Sequence, residues 1–279
     1  MTLLLLACAS DDPLDTGPVF DPNPIVVLGG ERPASVQLPT DYSVDREWPL
    51  VVMLHGFGAN ATLQDLVFGL GSRVDSTGFI LVKPEGTEDA DGYQFWNATE
   101  ECCDFYGTGV DDVAYLTALV DEAEITYPVS SVTFVGHSNG GYMSYRLACE
   151  IPERIDRIVV LAGAVYKDEA MCVGTTPVSV VHIHGTADDS VGYESTPDHA
   201  GAEESIGRWA TKAGCDSAAS DLESRDYFPK LEGAETTRKR WTGCEGGLDL
   251  ELWTAAGGDH TWFPNESAFK DDVAAAAAG

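Results

Sequence analysis

Basic residues are scarce in this chain: 16 lysines and arginines stand against 46 aspartates and glutamates, which gives a formal net charge of −30. A surface this acidic repels the phosphates of nucleic acids and of anionic membranes, so we exclude both as partners. The chain also lacks a D-x-D-x-D-G loop, which disfavours clustered calcium sites as an explanation of the acidity. We attribute the acidic surface to solubility in a salty or crowded medium.

The N-terminal apolar stretch is too short to span a bilayer and lacks the positive residues that open a signal peptide. It nevertheless ends in LLAC at residues 5–8, which is similar to the lipobox of bacterial lipoproteins. Residues 11–24 contain four prolines and four aspartates, a composition typical of a flexible tether. We therefore interpret residues 1–24 as a signal or lipobox remnant with a tether. We expect a lipid anchor on Cys8 and an extracellular, periplasmic or outer-surface location.

The length of 279 residues and a hydrophobic content of 44% are enough for one large domain, which we place at residues 25–272. Residues 273–279 form a low-complexity tail, interpreted as a helix remnant or a frayed end. Six cysteines follow Cys8, and an even number in an exported chain favours disulfides. No C-x-x-C or His/Cys spacing indicates zinc, so we expect neither a metal nor a cofactor. We expect a monomer.

The stretch around Ser138 carries the strongest chemical signal. Residues 131–135 form a short apolar run rich in β-branched side chains, which predicts a buried strand. The sequence GHSNG at 136–140 then matches the pattern G-x-S-x-G, and a helical pattern follows up to Pro152. Strand, glycine-flanked serine and helix is the arrangement that exposes a nucleophilic hydroxyl on a sharp turn. We therefore predict that Ser138 is a nucleophile.

Strands and helices alternate along the rest of the chain, which predicts a mostly parallel sheet with helices on both faces. A 25-residue irregular loop at 85–109 is long enough to suggest a functional role. Thr108 is the predicted cap of the helix that follows it. The predicted strands are 25–28, 35–38, 50–54, 79–83, 157–161, 178–184 and 248–254, and the predicted helices are 63–76, 110–127 and 203–212.

A serine hydroxyl becomes an effective nucleophile when a base takes its proton and an acid orients that base. Asp188 follows one apolar strand, and His260 lies in a glycine-rich turn after the last strand, so both emerge at the sheet edge of Ser138. The order Ser…Asp…His is typical of hydrolases with this nucleophile turn. Asp189, next to Asp188, is the alternative acid.

The other histidines have structural explanations. His55 and His137 are fixed in glycine motifs. His182 and His184 lie on a predicted strand as core or rim residues, and we expect His199 to be exposed in a polar loop.

A tetrahedral intermediate also needs backbone donors for its oxyanion. The amide of Asn139 lies at the start of a predicted helix, where it can face such an anion. The amide of Phe57, in the glycine turn after the strand 50–54, is the second predicted donor.

Several motifs together are far more specific than the serine motif alone. They are LHGFG (54–58), CC (102–103) ahead of DDVAYL (111–116), GHSNGGYMSYRLACE (136–150), HIHGTADDSVGY (182–193), GC (214–215) and GGDHTWFP (257–264). Over about residues 26–264 the chain resembles the extracellular esterases of the polyhydroxybutyrate depolymerase and feruloyl esterase group, which are carbohydrate esterase family 1-like members of the α/β-hydrolase superfamily.

The resemblance implies an α/β-hydrolase fold and a serine esterase that transfers an acyl group to water. By position it implies Ser138 as nucleophile, Asp188 as orienting acid and His260 as base. The family often has proline where Asp189 stands, which favours Asp188. Its usual glycine before the catalytic histidine is Asp259 here, a departure that affects the conformation of that loop.

The segment between residues 161 and 178 is too short for a helical lid, and only residues 192–200 and 217–242 are available for a small flap. An open cleft suits bulky or polymeric esters, such as polyester or feruloyl-polysaccharide. Acetylxylan or small esters are the alternative, and a catalytically inactive polysaccharide-binding lipoprotein is the alternative of another class. Trp96, Trp262 and His137 are the substrate-binding candidates, and the tryptophans fill the core in the competing interpretation.

Helices of this fold run away from the catalytic edge, which places four cysteines at the opposite edge. Their order there suggests the pairs Cys149–Cys172 and Cys215–Cys244. Cys102 and Cys103 remain at the catalytic edge. A bond between these neighbours is strained, since adjacent Cα atoms are about 3.8 Å apart across a trans peptide, and it would form an apolar platform beside the cleft.

Overall fold

A computed structural model describes residues 20–228, 230–260 and 267–279. Its centre is a ten-stranded sheet in the order β1-β2-β4-β3-β7-β8-β9-β12-β11-β10, and β5 and β6 form a separate hairpin. The strands are β1 (Val27–Leu28), β2 (Ala34–Gln37), β3 (Trp48–Leu54), β4 (Ile80–Lys83), β5 (Thr87–Glu88), β6 (Gln94–Phe95), β7 (Val129–His137), β8 (Arg157–Leu161), β9 (Ser179–Gly185), β10 (Ser220–Arg225), β11 (Thr236–Trp241) and β12 (Leu250–Ala255).

The six central strands, from β4 to β12 in the sheet order, are mutually parallel, and antiparallel strands extend both edges. Parallel strands covered on both faces need apolar side chains at successive positions. The sequences WPLVVML of β3 and RIVVL of β8 meet that need, and their central residues are buried.

Helices cover both faces of the sheet and enclose one apolar core on each side. The helices are α1 (Ala61–Phe68), α2 (Asp112–Thr126), α3 (Asn139–Glu150), α4 (Ala202–Lys212) and α5 (Ser267–Ala278). Helices α2, α3 and α4 contribute to one core, and α1 and α5 contribute to the other. This architecture confirms the predicted α/β-hydrolase fold. The segment between β8 and β9 contains only one short 3₁₀ turn, Glu169–Met171, and no lid.

Two predicted helix ends are wrong. The helix predicted over 63–76 ends at Phe68, because Gly69 adopts φ 65° and its amide caps the helix by donating to the backbone carbonyl of Asp65. Helix α2 is capped by Asp111, whose side chain accepts from the amide of Ala114, and the predicted cap Thr108 lies outside it.

Two segments are more ordered than the sequence suggested. Residues 217–242, predicted as a possible flap, contain β10 and β11, which extend the sheet beyond β12. The alanine-rich end belongs to α5, which buries Phe269, Val273, Ala274 and Ala277 against the sheet. Charged residues in β10 and β11 obscured the strand pattern, and the run of alanines in α5 gave no pattern that would indicate its buried side.

The structure contains the disulfides Cys149–Cys172 and Cys215–Cys244 that topology suggested. Cys102 and Cys103 are also bonded to each other, with a cis peptide between them and Cα atoms 3.0 Å apart. This pair is buried and lines a cavity of about 300 Å³ with Arg146 and Tyr166. The apolar platform beside the cleft stays a prediction.

Cys8 and the tether as far as residue 19 lie outside the described residues. Within the described ranges, no helix has the length and apolar character that crossing a membrane requires.

Candidate active site

Ser138 occupies the sharp turn between β7 and α3. Its backbone has φ 52° and ψ −118°, a conformation that side-chain-bearing residues rarely adopt, and its amide donates to the carbonyl of Leu161 at 2.8 Å. The turn depends on its two glycines. A Cβ on Gly136 would lie 2.7 Å from the amide nitrogen of Gly141 and closer still to the Gly140 carbonyl, and a Cβ on Gly140 would also meet backbone atoms. This explains the glycine pattern around the serine.

The loops that carry Asp188 and His260 follow two neighbouring parallel strands, β9 and β12. The amide of Ala187 donates to the carbonyl of Gly258 at 2.9 Å, which joins the two loops. A Cβ on Gly185 would lie 3.0 Å from the Cα of Gly258, so glycine is required for this close approach. The sheet register thus brings residues 72 positions apart to one place.

Three predicted side chains meet there. The Nε2 atom of His260 lies 2.9 Å from Ser138 Oγ, and its Nδ1 atom lies 2.8 Å from Asp188 Oδ2. The carboxylate of Asp188 is fully buried, whereas the alternative acid Asp189 is exposed. The geometry therefore favours Asp188. A serine hydroxyl, an imidazole and a carboxylate in this order can move a proton away from the hydroxyl.

The surroundings of Asp188 favour its ionised form. Burial by itself raises a carboxyl pKa, but hydrogen bonding from His184, from His260 and from the Val191 amide outweighs it and holds the pKa of Asp188 well below its usual range. Oδ1 accepts from the amides of Ser190 and Val191 at 2.9 and 2.8 Å. A carboxylate held in this way keeps its charge and its orientation at neutral pH.

Of the two predicted oxyanion donors, Phe57 lines the same cavity as Ser138, and Asn139 follows Ser138 directly in the chain. No described residue accepts a hydrogen bond from the amide of Phe57 or of Asn139. The Asn139 side chain is buried and forms two hydrogen bonds with the backbone of Trp96, accepting from its amide at 2.7 Å and donating to its carbonyl at 2.8 Å. The Trp96 indole donates to the carbonyl of His55 at 3.0 Å. This network joins the two donor segments.

Trp96 is 0% exposed and does not line the cavity at Ser138. The prediction that it contacts substrate is therefore wrong, and the competing interpretation, that it fills the core, is correct. Trp262, the other candidate, lies outside the described residues. The long loop at 85–109 places Trp96 in the core, where its backbone holds Asn139.

Sequence reasoning missed two polar residues that fix the Phe57 loop. Gln64 Oε1 accepts from the amide of Gly56 at 3.2 Å. His55 contacts the Gly56 carbonyl through Nδ1 at 2.8 Å and accepts from the Gly86 amide through Nε2 at 2.9 Å. Burial lowers the pKa of His55 to about 4, so the ring is neutral. The position of His55 at the end of an apolar strand and before a glycine turn is the sequence signal that could have identified its role.

The pKa values of His137 and His199 are shifted in opposite directions by their surroundings. His137 lines the cavity beside Ser138, and burial, with His260 nearby, lowers its pKa to about 4. His199, predicted to be exposed, has a side chain only 15% exposed and lies 3.1 Å from Glu101. This partner raises the pKa of His199. The exposure prediction fails because the loop 85–109 covers His199.

A cavity of about 460 Å³ opens at Ser138 and His260. Its other described lining is mainly apolar: Gly56, Phe57, Ala59, Leu63, Gln64, Leu66, Val67 and His137. Leu63 and Leu66, both on α1, are 52% and 68% exposed. The described residues contain no cluster of three or more histidine, cysteine, aspartate or glutamate side chains able to hold a metal.

Comparison with known proteins places these features in a family. The family model described as "Putative esterase" matches residues 25–242. The chain is 28% identical over 270 residues to "Putative esterase NocK" of Nocardia uniformis subsp. tsuyamanensis, covering 90% of this chain and 77% of that protein. It is 24% identical over 249 residues to feruloyl esterase D of Neurospora crassa, covering 84% and 75%.

Among solved structures, an acetyl xylan esterase from Aspergillus awamori superimposes with a TM-score of 0.65 at 16% identity, covering 88% of this chain and 94% of that one. This likeness shows the fold. The family match covers most of the chain and includes the serine turn and the loop of Asp188. The chain therefore belongs to this esterase family and is a carboxylic ester hydrolase with the α/β-hydrolase fold.

Proposed function

We propose that Ser138, His260 and Asp188 form the catalytic triad of a serine esterase. The observation that carries this proposal is the pair of contacts on one imidazole, 2.9 Å to the hydroxyl and 2.8 Å to the buried carboxylate. Nδ1 of His260 donates to Asp188, which leaves Nε2 free to accept the serine proton.

In the proposed reaction, Ser138 Oγ bonds to the ester carbonyl carbon while its proton passes to His260 Nε2. The carbonyl oxygen becomes an oxyanion that accepts from the amides of Phe57 and Asn139. The C–O bond then breaks, and the imidazolium gives its proton to the leaving alcohol. Water gives a proton to His260 and adds to the acyl carbon, and Ser138 leaves with the proton returned. No cofactor enters this sequence.

The apolar cavity at Ser138 supports a bulky acyl group. Its volume of about 460 Å³ lies in the range of small-molecule sites, and no lid between β8 and β9 restricts it. The exposed Leu63 and Leu66 extend this apolar lining outward, which suits a polymeric ester. Feruloyl-polysaccharide and polyester are the proposed substrates, and acetylxylan or small esters are the alternative.

The activity is tested by hydrolysis of p-nitrophenyl acetate by the wild-type protein and by Ser138→Ala. We expect turnover that the variant loses, with an unchanged circular dichroism spectrum. No turnover of any ester by folded wild-type protein would instead support an inactive polysaccharide-binding protein. Parallel release assays on methyl ferulate, acetylated xylan and polyhydroxybutyrate then separate the substrates, because a bulky acyl pocket favours ferulate over acetate.

Three disulfides support the proposal that the protein is exported to an oxidising compartment, where it acts as a monomer. A lipid anchor on Cys8 is part of this proposal. Fatty-acid labelling of the full chain in a bacterial host, lost in Cys8→Ala, tests the anchor.

A further inference from the structure

A file of buried polar side chains lies behind Asp188. Tyr145, His182 and His184 are each 0% exposed. The Tyr145 hydroxyl lies 2.8 Å from His182 Nδ1, and His182 Nε2 lies 3.0 Å from His184 Nδ1. His184 Nε2 lies 2.8 Å from the carbonyl of Val191 and 3.4 Å from Asp188 Oδ2. The file therefore ends at the oxygen that also contacts His260.

The partners determine where the protons lie. The Val191 carbonyl can only accept, so His184 Nε2 carries a hydrogen. In a neutral ring Nδ1 then accepts, which requires His182 Nε2 to donate and His182 Nδ1 to accept from Tyr145. If both nitrogens of His184 carried hydrogens, His182 would have to accept at Nε2 and donate from Nδ1 to the Tyr145 oxygen. The tyrosyl hydrogen would then have no acceptor among the described residues. Neutral rings, both protonated on Nε2, satisfy every donor in the file.

We propose that His184 is a positioning residue for Asp188, and that Tyr145 and His182 fix the His184 tautomer whose Nε2–H donates to the Val191 carbonyl and faces Asp188 Oδ2 at 3.4 Å. This inference rests on the proposed function of Asp188. The opposite tautomer would turn a lone pair toward both the Val191 carbonyl and the carboxylate, and the repulsion would displace Asp188 and the His260 ring that it orients.

The expected consequence is a loss of kcat with little change in KM. His184 does not line the cavity at Ser138, so it has no direct contact with a bound ester. Displacement of Asp188 would impair the proton transfers and leave substrate binding unchanged. Misplacement of a catalytic group by about 1 Å can lower the rate about 100-fold.

The matched variants are His184→Gln and His184→Asn. The longer glutamine can extend an amide N–H to the place of Nε2, whereas asparagine is too short to reach Val191. We expect kcat to fall about 30-fold or more in His184→Asn and to stay within about fivefold of wild type in His184→Gln, with KM within about twofold in both. Equal losses of kcat in the two variants would overturn the proposal, because packing alone would then explain them.

A second measurement remains informative even if both variants misfold. Imidazole ¹⁵N spectra of the wild-type protein at neutral pH report which ring nitrogens carry hydrogen. We expect His182 and His184 both to be protonated on Nε2 alone, and a mixture of tautomers for His182 in Tyr145→Phe. A protonated Nδ1 on His184 in the wild-type spectrum would overturn the proposal. This result does not depend on ester turnover, so it separates failure of the inference from failure of the proposed function.

Discussion

Replacing Gly136 with alanine tests whether the serine turn depends on backbone contact. The added Cβ would lie 2.7 Å from the nitrogen of Gly141 and closer to the carbonyl of Gly140. These are backbone atoms on the first turn of α3, so no side chain can rotate away. Because ordinary contacts of a Cβ exceed 3.0 Å, β7 and α3 must separate by several tenths of an ångström or more.

This separation has two measurable costs. Overpacking of this kind costs about 1–3 kcal/mol in the free energy of unfolding. It also moves Ser138 relative to His260, which lies in the loop after β12 and contacts the Ser138 hydroxyl at 2.9 Å. A displacement approaching 1 Å lowers the rate about 100-fold. Urea unfolding and p-nitrophenyl acetate kinetics on Gly136→Ala measure the two effects.

Gly207 supplies the matched control. It lies within α4, and a Cβ there meets nothing within 4 Å. Gly207→Ala should keep wild-type kinetics and raise the free energy of unfolding by about 0.5–1 kcal/mol, since alanine favours a helix interior. Wild-type activity and stability in Gly136→Ala would refute the account of the turn.

Three further predictions concern the polar residues. Asp188→Asn should lower kcat about 10⁴-fold, because the imidazolium loses its counter-charge, whereas Asp189→Asn, at an exposed position, should not change it. A large loss in the Asp189 variant would contradict the assignment. Asn139→Ala leaves a buried backbone amide and carbonyl unpaired and should cost about 2–4 kcal/mol in urea unfolding; a cost below about 1 kcal/mol would contradict it. Burial lowers the pKa of His55 and of His137 to about 4 and that of His182 well below its usual value. Since all three titrate near pH 6.5 when unfolded, the unfolded chain binds up to three more protons below that pH, and the free energy of unfolding should fall by up to about 4.1 kcal/mol per pH unit toward pH 4. Urea titrations at several pH values check this, and stability unchanged on acidification would contradict it.

Local signals predicted the parts of the site that depend on chain order and strand ends. Apolar runs located the parallel strands, and the glycines at 136 and 140 indicated the close passage of β7 and α3. Because parallel strands end at one edge, residues after β7, β9 and β12 had to converge there. Asp188 and His260 were therefore predictable without coordinates.

Features that depend on tertiary contact were not predictable. The aromatic Trp96 gave no sign that its backbone would pair with Asn139, since that contact joins segments 43 residues apart. His199 looked exposed in a polar loop because the covering residue Glu101 comes from a distant loop. Charged residues along the edge strand β10 and its neighbour β11 obscured both strands, because β-propensity is a weak guide where side chains meet solvent.

A covalent label tests the central claim most directly, namely that the Ser138 hydroxyl is activated by His260. Reaction with diethyl p-nitrophenyl phosphate followed by peptide mass spectrometry should show one diethylphosphoryl group per chain, on Ser138, and His260→Ala should slow its formation sharply. A label on another residue, or equally fast labelling in the His260 variant, would contradict the account.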